Sequence, residues 1–127
     1  PPLVLFSIDR KARGLPACES VESYAVHVLA ENQQALSNRF ARPGAKWEGM
    51  DYRPGHGGAP LLPGAAAVFE CDSHIRYDGG DHVLFLGKIQ RFTSSPERRP
   101  LVFAQGRYAS LHQGEAAPSL WPLDIHY

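Results

Sequence analysis

Two β-prone runs joined by a glycine turn constrain this chain more than any other feature. Residues 65–77 alternate, with Phe69, Cys71, Ser73 and Ile75 on one side and Glu70, Asp72, His74 and Arg76 on the other. Asp78-Gly79-Gly80 then turns the chain into His82-Val83-Leu84-Phe85-Leu86-Gly87-Lys88-Ile89, so the pair is a hairpin. The first strand is expected to show one core face and one polar face. In the second, Val83, Phe85, Gly87 and Ile89 oppose His82, Leu84, Leu86 and Lys88, and both faces are expected to be largely buried, as in a barrel. His82 opens this second strand, beside Gly80-Asp81, and therefore stands at a strand mouth. Two readings of it stay open here: a working imidazole, or one that only hydrogen-bonds the turn.

A chain of 127 residues is the size of one domain. Thirteen Lys and Arg balance thirteen Asp and Glu, which removes the basic footprint of a nucleic-acid binder and any polybasic membrane patch. The apolar runs are far too short for a membrane span. Two cysteines, Cys18 and Cys71, are too few for a disulfide framework, so a reducing, cytoplasmic setting fits best. The chain opens on Pro1-Pro2 with neither an initiator Met nor a charged-then-apolar leader, and is expected to be the interior of a longer protein.

Leu3 to Ile8 is a nearly continuous apolar run, expected to form a strand covered on both faces. Asp9-Arg10-Lys11-Ala12-Arg13-Gly14 gathers three cations in a turn before a short helix over 15–21, with Pro16 tolerated in its first turn. Such a turn is either a phosphate cradle, with helix-start amides and guanidinium groups facing an anion, or a solvated basic loop. A strand over 23–29 and a helix from about Gln33 to Ala41 follow, the helix placing Leu36 and Phe40 on one face. Residues 43–63 form a long Gly- and Pro-rich loop pinned by Trp47, Met50 and Tyr52. Gly55-His56-Gly57-Gly58 lies inside that loop and lacks the strand and helix that a nucleotide-binding glycine motif requires. Strands over 100–104 and 106–111 close the domain, and the aromatic tail 120–127 is expected to dock on a surface.

Six scattered histidines show no metal-ligand spacing, and no serine or cysteine sits in a nucleophile motif. What remains is a small β-rich domain with a basic turn suited to a phosphate and one well-placed histidine, the description of a cofactor-binding barrel.

Six segments in order carry a resemblance that none carries alone. Pro1-Pro2-Leu3-Val4 through Ile8-Asp9-Arg10, Val26-His27-Val28-Leu29, Leu36-Ser37-Asn38-Arg39-Phe40-Ala41, Gly58-Ala59-Pro60-Leu61-Leu62 with Phe69-Glu70-Cys71, Gly80-Asp81-His82, and Pro100-Leu101 with Gly106-Arg107-Tyr108 together resemble the short-chain flavin reductases. That resemblance covers residues 1–111 and leaves 112–127 as a C-terminal tail. It implies a mainly β fold with short helices, a Greek-key split β-barrel of the FMN-binding type. The implied activity is hydride transfer from NADH or NADPH to FMN or FAD, in a homodimer that supplies reduced flavin to a partner monooxygenase. A flavin-binding module without turnover, or an inactive relative, are the other readings of the same fold.

Carried over residue by residue, the resemblance assigns Ser7, Asp9, Arg10, Lys11, Ala12 and Arg13 to the flavin phosphate and ribityl chain. It also adds Phe40 as a cofactor contact and places His82 where nicotinamide stacks. Ala12 and Gly14 stand where the family has Ser and Thr, so backbone amides and Arg13 must serve instead, and His27 stands where the family has Asn. The family also carries two strands and a Thr/Ser-rich flavin-contacting loop before "PPLV". A missing N-terminal segment is therefore expected, and with it weak flavin binding or none.

Overall fold

The computed structural model describes residues 1–44 and 46–116. The tail over 120–127 lies outside the described residues. Among the described residues eight strands and two α-helices run in the order β1 (Leu3–Asp9), α1 (Leu15–Ser20), β2 (Ser23–Val28), α2 (Gln34–Ala41), β3 (Arg53–Pro54), β4 (Pro60–Leu61), β5 (Ala67–Gly79), β6 (His82–Ser94), β7 (Val102–Ala104) and β8 (Arg107–Ala109). The main sheet is antiparallel in the order β1-β6-β5-β2, so the long hairpin is central and the two earlier strands flank it. The hairpin forms because Gly80 adopts φ +80° at the tip, a conformation closed to most side chains, and Asp78 Oδ1 accepts the Gly80 N–H at 3.0 Å.

Alternation along β5 is broken by register shifts between Glu70 and Cys71 and between Ser73 and Ile75. The expected polar face is therefore not uniformly wet: Glu70 is 2% exposed. Its Oε1 accepts the His56 N–H at 2.8 Å from the 43–63 loop, with Arg91 3.7 Å away. A carboxylate so buried is tolerable only because donors reach it. The loop is held by an edge-to-face chain, Phe40 on Trp47 at 5.2 Å and Trp47 on Tyr52 at 5.4 Å, as the aromatic content of that stretch implies.

The inward face of the sheet carries the core. Val83 and Phe85 of β6 pack with Leu15 of α1, and Phe6, Ile8 and Cys18 close around them. Leu15 and Cys18 are three apart and share one helix face, which explains how a helix of six residues stays seated. Burying each large apolar side chain in such a core stabilises by about 1.5–3 kcal/mol.

The other face corrects the expectation that β1 and β6 are covered on both sides. In β1 exposed and half-buried residues alternate, and Leu5 is 59% exposed. Leu5 pairs with Leu86, Leu86 with Ile75 and Leu84 with Tyr77, so an apolar strip runs across three strands. Leu5, Ile75 and Tyr77 of this strip are exposed, Leu84 and Leu86 are half-buried, and β1 is the edge of its sheet.

Tyr24 of β2 is wedged edge-on against Phe6 at 5.2 Å, and its buried hydroxyl has no partner among the described residues. Burial, reinforced by Cys71 and Cys18, pushes its pKa up to about 12. Tyr24→Phe is expected to be neutral or to stabilise by about 1 kcal/mol, because an unsatisfied buried hydroxyl is removed without leaving a cavity; a thermal melt measures this.

The last hairpin turns at Gln105 and Gly106, both with positive φ, the signature of a tight two-residue turn. It is anchored by the Tyr108 hydroxyl, 2.9 Å from both Ser37 Oγ and Asn38 Oδ1 of α2. Two of the quoted segments, 36–41 and 106–108, thereby meet through their polar side chains.

Candidate functional site

At one end of the sheet the turn after β1 and the tip of the central hairpin are locked together. Asp9 is the cross-strand partner of His82, and the Arg10 N–H donates to the Asp81 carbonyl at 2.9 Å. The Arg10 guanidinium donates through Nε to the Gly80 carbonyl at 2.7 Å and through Nη2 to Asp78 Oδ1 at 2.6 Å. Arg10 therefore acts as a clamp that fixes the basic turn against the histidine-bearing tip. The Arg10 guanidinium, followed by the Gly80 backbone N–H, holds the Asp78 carboxyl below its ordinary value.

His82 Nδ1 donates to Asp81 Oδ1 at 2.8 Å, which leaves Nε2 directed elsewhere, and its side chain is 41% exposed. That hydrogen bond is the main cause of a raised imidazole pKa; desolvation opposes it, and the charges of Asp81 and Asp9 add to it. His82 thus keeps its proton to higher pH than a free histidine. The Asp81 carboxyl is lowered in turn by the same bond.

The basic turn is more occupied with itself than its sequence implies. The Lys11 N–H bonds Asp9 Oδ1, the Ala12 N–H bonds the Asp9 carbonyl and the Leu15 N–H bonds the Ala12 carbonyl. The N–H groups of Arg13 and Gly14 take no bond among the described residues, and the Lys11 and Arg13 side chains are exposed and unpaired there. Two amides and two cations make a donor set that fits an anion such as a phosphate. Ser7 is on the exposed face opposite Leu84, one strand step from the Asp9–His82 pair.

The structure thus brings Ser7, Asp9, Arg10, Lys11, Ala12, Arg13 and His82 to one end of the sheet. Phe40 lies apart from them, on an apolar cavity of about 620 Å³ that it shares with Cys18, Tyr24, His27, Trp47 and Leu62; none of residues 7–13 lines it. Sequence reasoning missed Asp78 as the Arg10 anchor, although an Asp two residues before a turn glycine is a usual capping arrangement. It also missed the cavity, whose lining comes from five separate stretches of chain and has no local signature.

Beside the cavity, His56 Nε2 and Ser23 Oγ both contact Asp72 Oδ1, at 2.7 and 3.3 Å. The His56 hydrogen bond is the chief cause of a lowered Asp72 pKa. Serine and histidine both reach the carboxylate rather than each other, so this trio does not activate a hydroxyl nucleophile. Cys18 and Cys71 are free thiols whose pKa values are raised by burial, which keeps them in the unreactive protonated form.

The main sheet is a curled antiparallel half-barrel with a basic turn clamped to a histidine at its rim, and comparison with known proteins assigns the chain to a family. The family model for the flavin reductase like domain matches residues 1–112, and the chain belongs to that family. The reductase subunit HsaB of a flavin-dependent monooxygenase from Rhodococcus jostii is 35% identical over 126 residues, covering 98% of this chain and 65% of that protein. The crystal structure of nitrilotriacetate monooxygenase component B from Mycobacterium thermoresistibile superposes with a TM-score of 0.86 at 37% identity, covering all of this chain and 73% of the other. The NADH:FAD oxidoreductase SgcE6 of Streptomyces globisporus, solved with NAD and FAD fragments, gives 0.81 at 34% identity, covering 94% and 71%. The fold is therefore the split barrel of the flavin reductases, and the main sheet is its half-barrel. The chain spans about two thirds of the length of HsaB.

Proposed function

We propose that this chain is the flavin-binding and reducing portion of an NAD(P)H-dependent flavin reductase that supplies reduced flavin to a monooxygenase. The observation that carries the reading is the Arg10 clamp, which unites a phosphate-compatible turn with a protonatable histidine. FMN or FAD supplies the hydride acceptor, and NADH or NADPH the donor. The chain's own task is to hold and orient. Lys11, Arg13 and the amides of Arg13 and Gly14 hold a phosphate, with Ser7 and Asp9 alongside. The cationic form of His82, oriented by Asp81, donates a hydrogen bond from Nε2 toward the nicotinamide side. The open strip around Leu5, Ile75 and Tyr77 supports the homodimer that the family resemblance implies.

The test is oxidation of NADH by the purified protein with added FMN or FAD. His82→Ala is expected to lower the rate about tenfold, the effect of losing one oriented donor. Because the His82 pKa is raised, its contribution is present below the ordinary histidine value and is lost as pH rises through the raised value. Asp81→Asn removes the principal cause of that shift, so the inflection in the pH–rate profile should move down. A rate in His82→Ala equal to the parent's at all pH values would remove the histidine from the mechanism.

The inactive-relative reading of the same fold is favoured by one observation, the small number of amides left free in the turn. Flavin titration separates the two: a folded chain that binds no flavin supports the inactive relative.

A further inference from the structure

We propose that His27 is a pH-sensitive positioning residue, whose neutral ring holds the Pro60–Leu62 segment as one wall of the apolar cavity and whose protonation releases that wall. His27 Nε2 accepts the Leu62 backbone N–H at 3.0 Å. Among the described residues no other hydrogen bond joins β2 to residues 59–63. The β3–β4 ladder ties Pro60 and Leu61 back to Arg53 and Pro54 of their own loop, not to the main sheet. An acceptor nitrogen cannot carry a proton, so protonation at Nε2 sets two donors face to face and the bond is lost.

The surroundings give the charged ring less help than burial takes away. The cavity that His27 shares with Leu62 is lined from α1 by Cys18, from β2 by Tyr24, from α2 by Ser37 and Phe40, and from the loop by Trp47 and Pro60; no Asp, Glu, Lys or Arg lines it. From β5 the one charge that acts on the ring is Glu70, which already accepts the His56 N–H and lies near Arg91. Burial lowers the His27 pKa, against the opposing pull of the Ala25 backbone and of Glu70. The stabilising effect of the neutral ring is therefore complete above the ordinary histidine pKa and is lost as pH falls through the lowered value. The family resemblance places Asn at this position. An Asn side-chain oxygen offers the Leu62 N–H an acceptor that does not titrate, which makes His27→Asn the informative variant.

The test follows the Leu62 amide and the His27 ring by NMR from pH 8 to pH 5. In the parent chain the Leu62 amide resonance should move with the midpoint of the His27 ring, below 6.5. In His27→Asn it should stay fixed over the same range, and in His27→Ala it should sit at the unbonded position throughout. Should His27→Ala fail to fold, the contrast between parent and His27→Asn still decides. A Leu62 resonance that ignores the titration of His27, or that moves equally in His27→Asn, overturns the proposal. The NMR outcome does not depend on flavin, so a chain that fails to oxidise NADH defeats the flavin reductase reading and leaves this proposal standing.

Discussion

Phe85→Ala is expected to destabilise the domain by about 3–5 kcal/mol, the usual cost of deleting a fully buried aromatic ring. Phe85 has no exposed surface and stacks nearly parallel on Phe6, with ring centres 5.1 Å apart. Its other neighbours, Leu15 and Val83, belong to the same buried cluster, so the ring joins β1, β6 and α1 at once. Collapse into the vacated space is limited because Phe6 is also fixed edge-on against Tyr24. The measurement is urea unfolding: the midpoint should fall sharply at unchanged slope, whereas a loss below about 1 kcal/mol would mean that this cluster is not the core. The effect reaches the site, because Phe85 lies on the strand that begins at His82. In a variant that remains folded, NADH oxidation should fall together with stability.

Gly87→Ala is expected to cost about 1–3 kcal/mol, although it adds a single methyl group. A Cβ at Gly87 would lie 2.8 Å from the Tyr24 hydroxyl oxygen and 2.9 Å from both Cys71 Cβ and Tyr24 Cε2. Cys71 has no exposed surface and its Cβ is tied to the β5 backbone, while the Tyr24 ring is wedged against Phe6. Neither neighbour has an easy path away. The same substitution made together with Tyr24→Phe should cost less, since the shortest contact is removed; the difference is a coupling energy that thermal melts of the four proteins in the cycle measure. Strict additivity would show that the hydroxyl is not what fills the space above Gly87.

Much of this architecture was legible in the residues. The hairpin was, because alternation over a long stretch followed by Asp-Gly-Gly admits few other structures, and because Gly80 is the residue that a positive φ demands. The short helix after Gly14 was, since Pro16 and the spacing of Leu15 and Cys18 are local features. Less legible was anything that depends on which surfaces face each other. Leu3 and Leu5 read as core because apolar runs usually are, yet β1 forms the sheet edge and one side of it stays open. Glu70 read as a surface residue from its alternation with Phe69 and Cys71, but two register shifts and the returning 43–63 loop bury it. Phe40 read as a cofactor contact, and the fold sets it on the apolar cavity, apart from the phosphate turn.

By itself the sequence determined the strand-rich class, the central hairpin, the histidine at its mouth and the cationic turn, because each follows from short-range periodicity and turn chemistry. Only the tertiary structure decided that Arg10 is a clamp rather than a free phosphate ligand, that most amides of the turn are already engaged, and that His27 holds Leu62 across the cavity. The physical reason is the same in each case. A donor or acceptor has many candidate partners along a chain, and the one it takes is set by which backbone groups the folded sheet and its loops bring within about 3 Å.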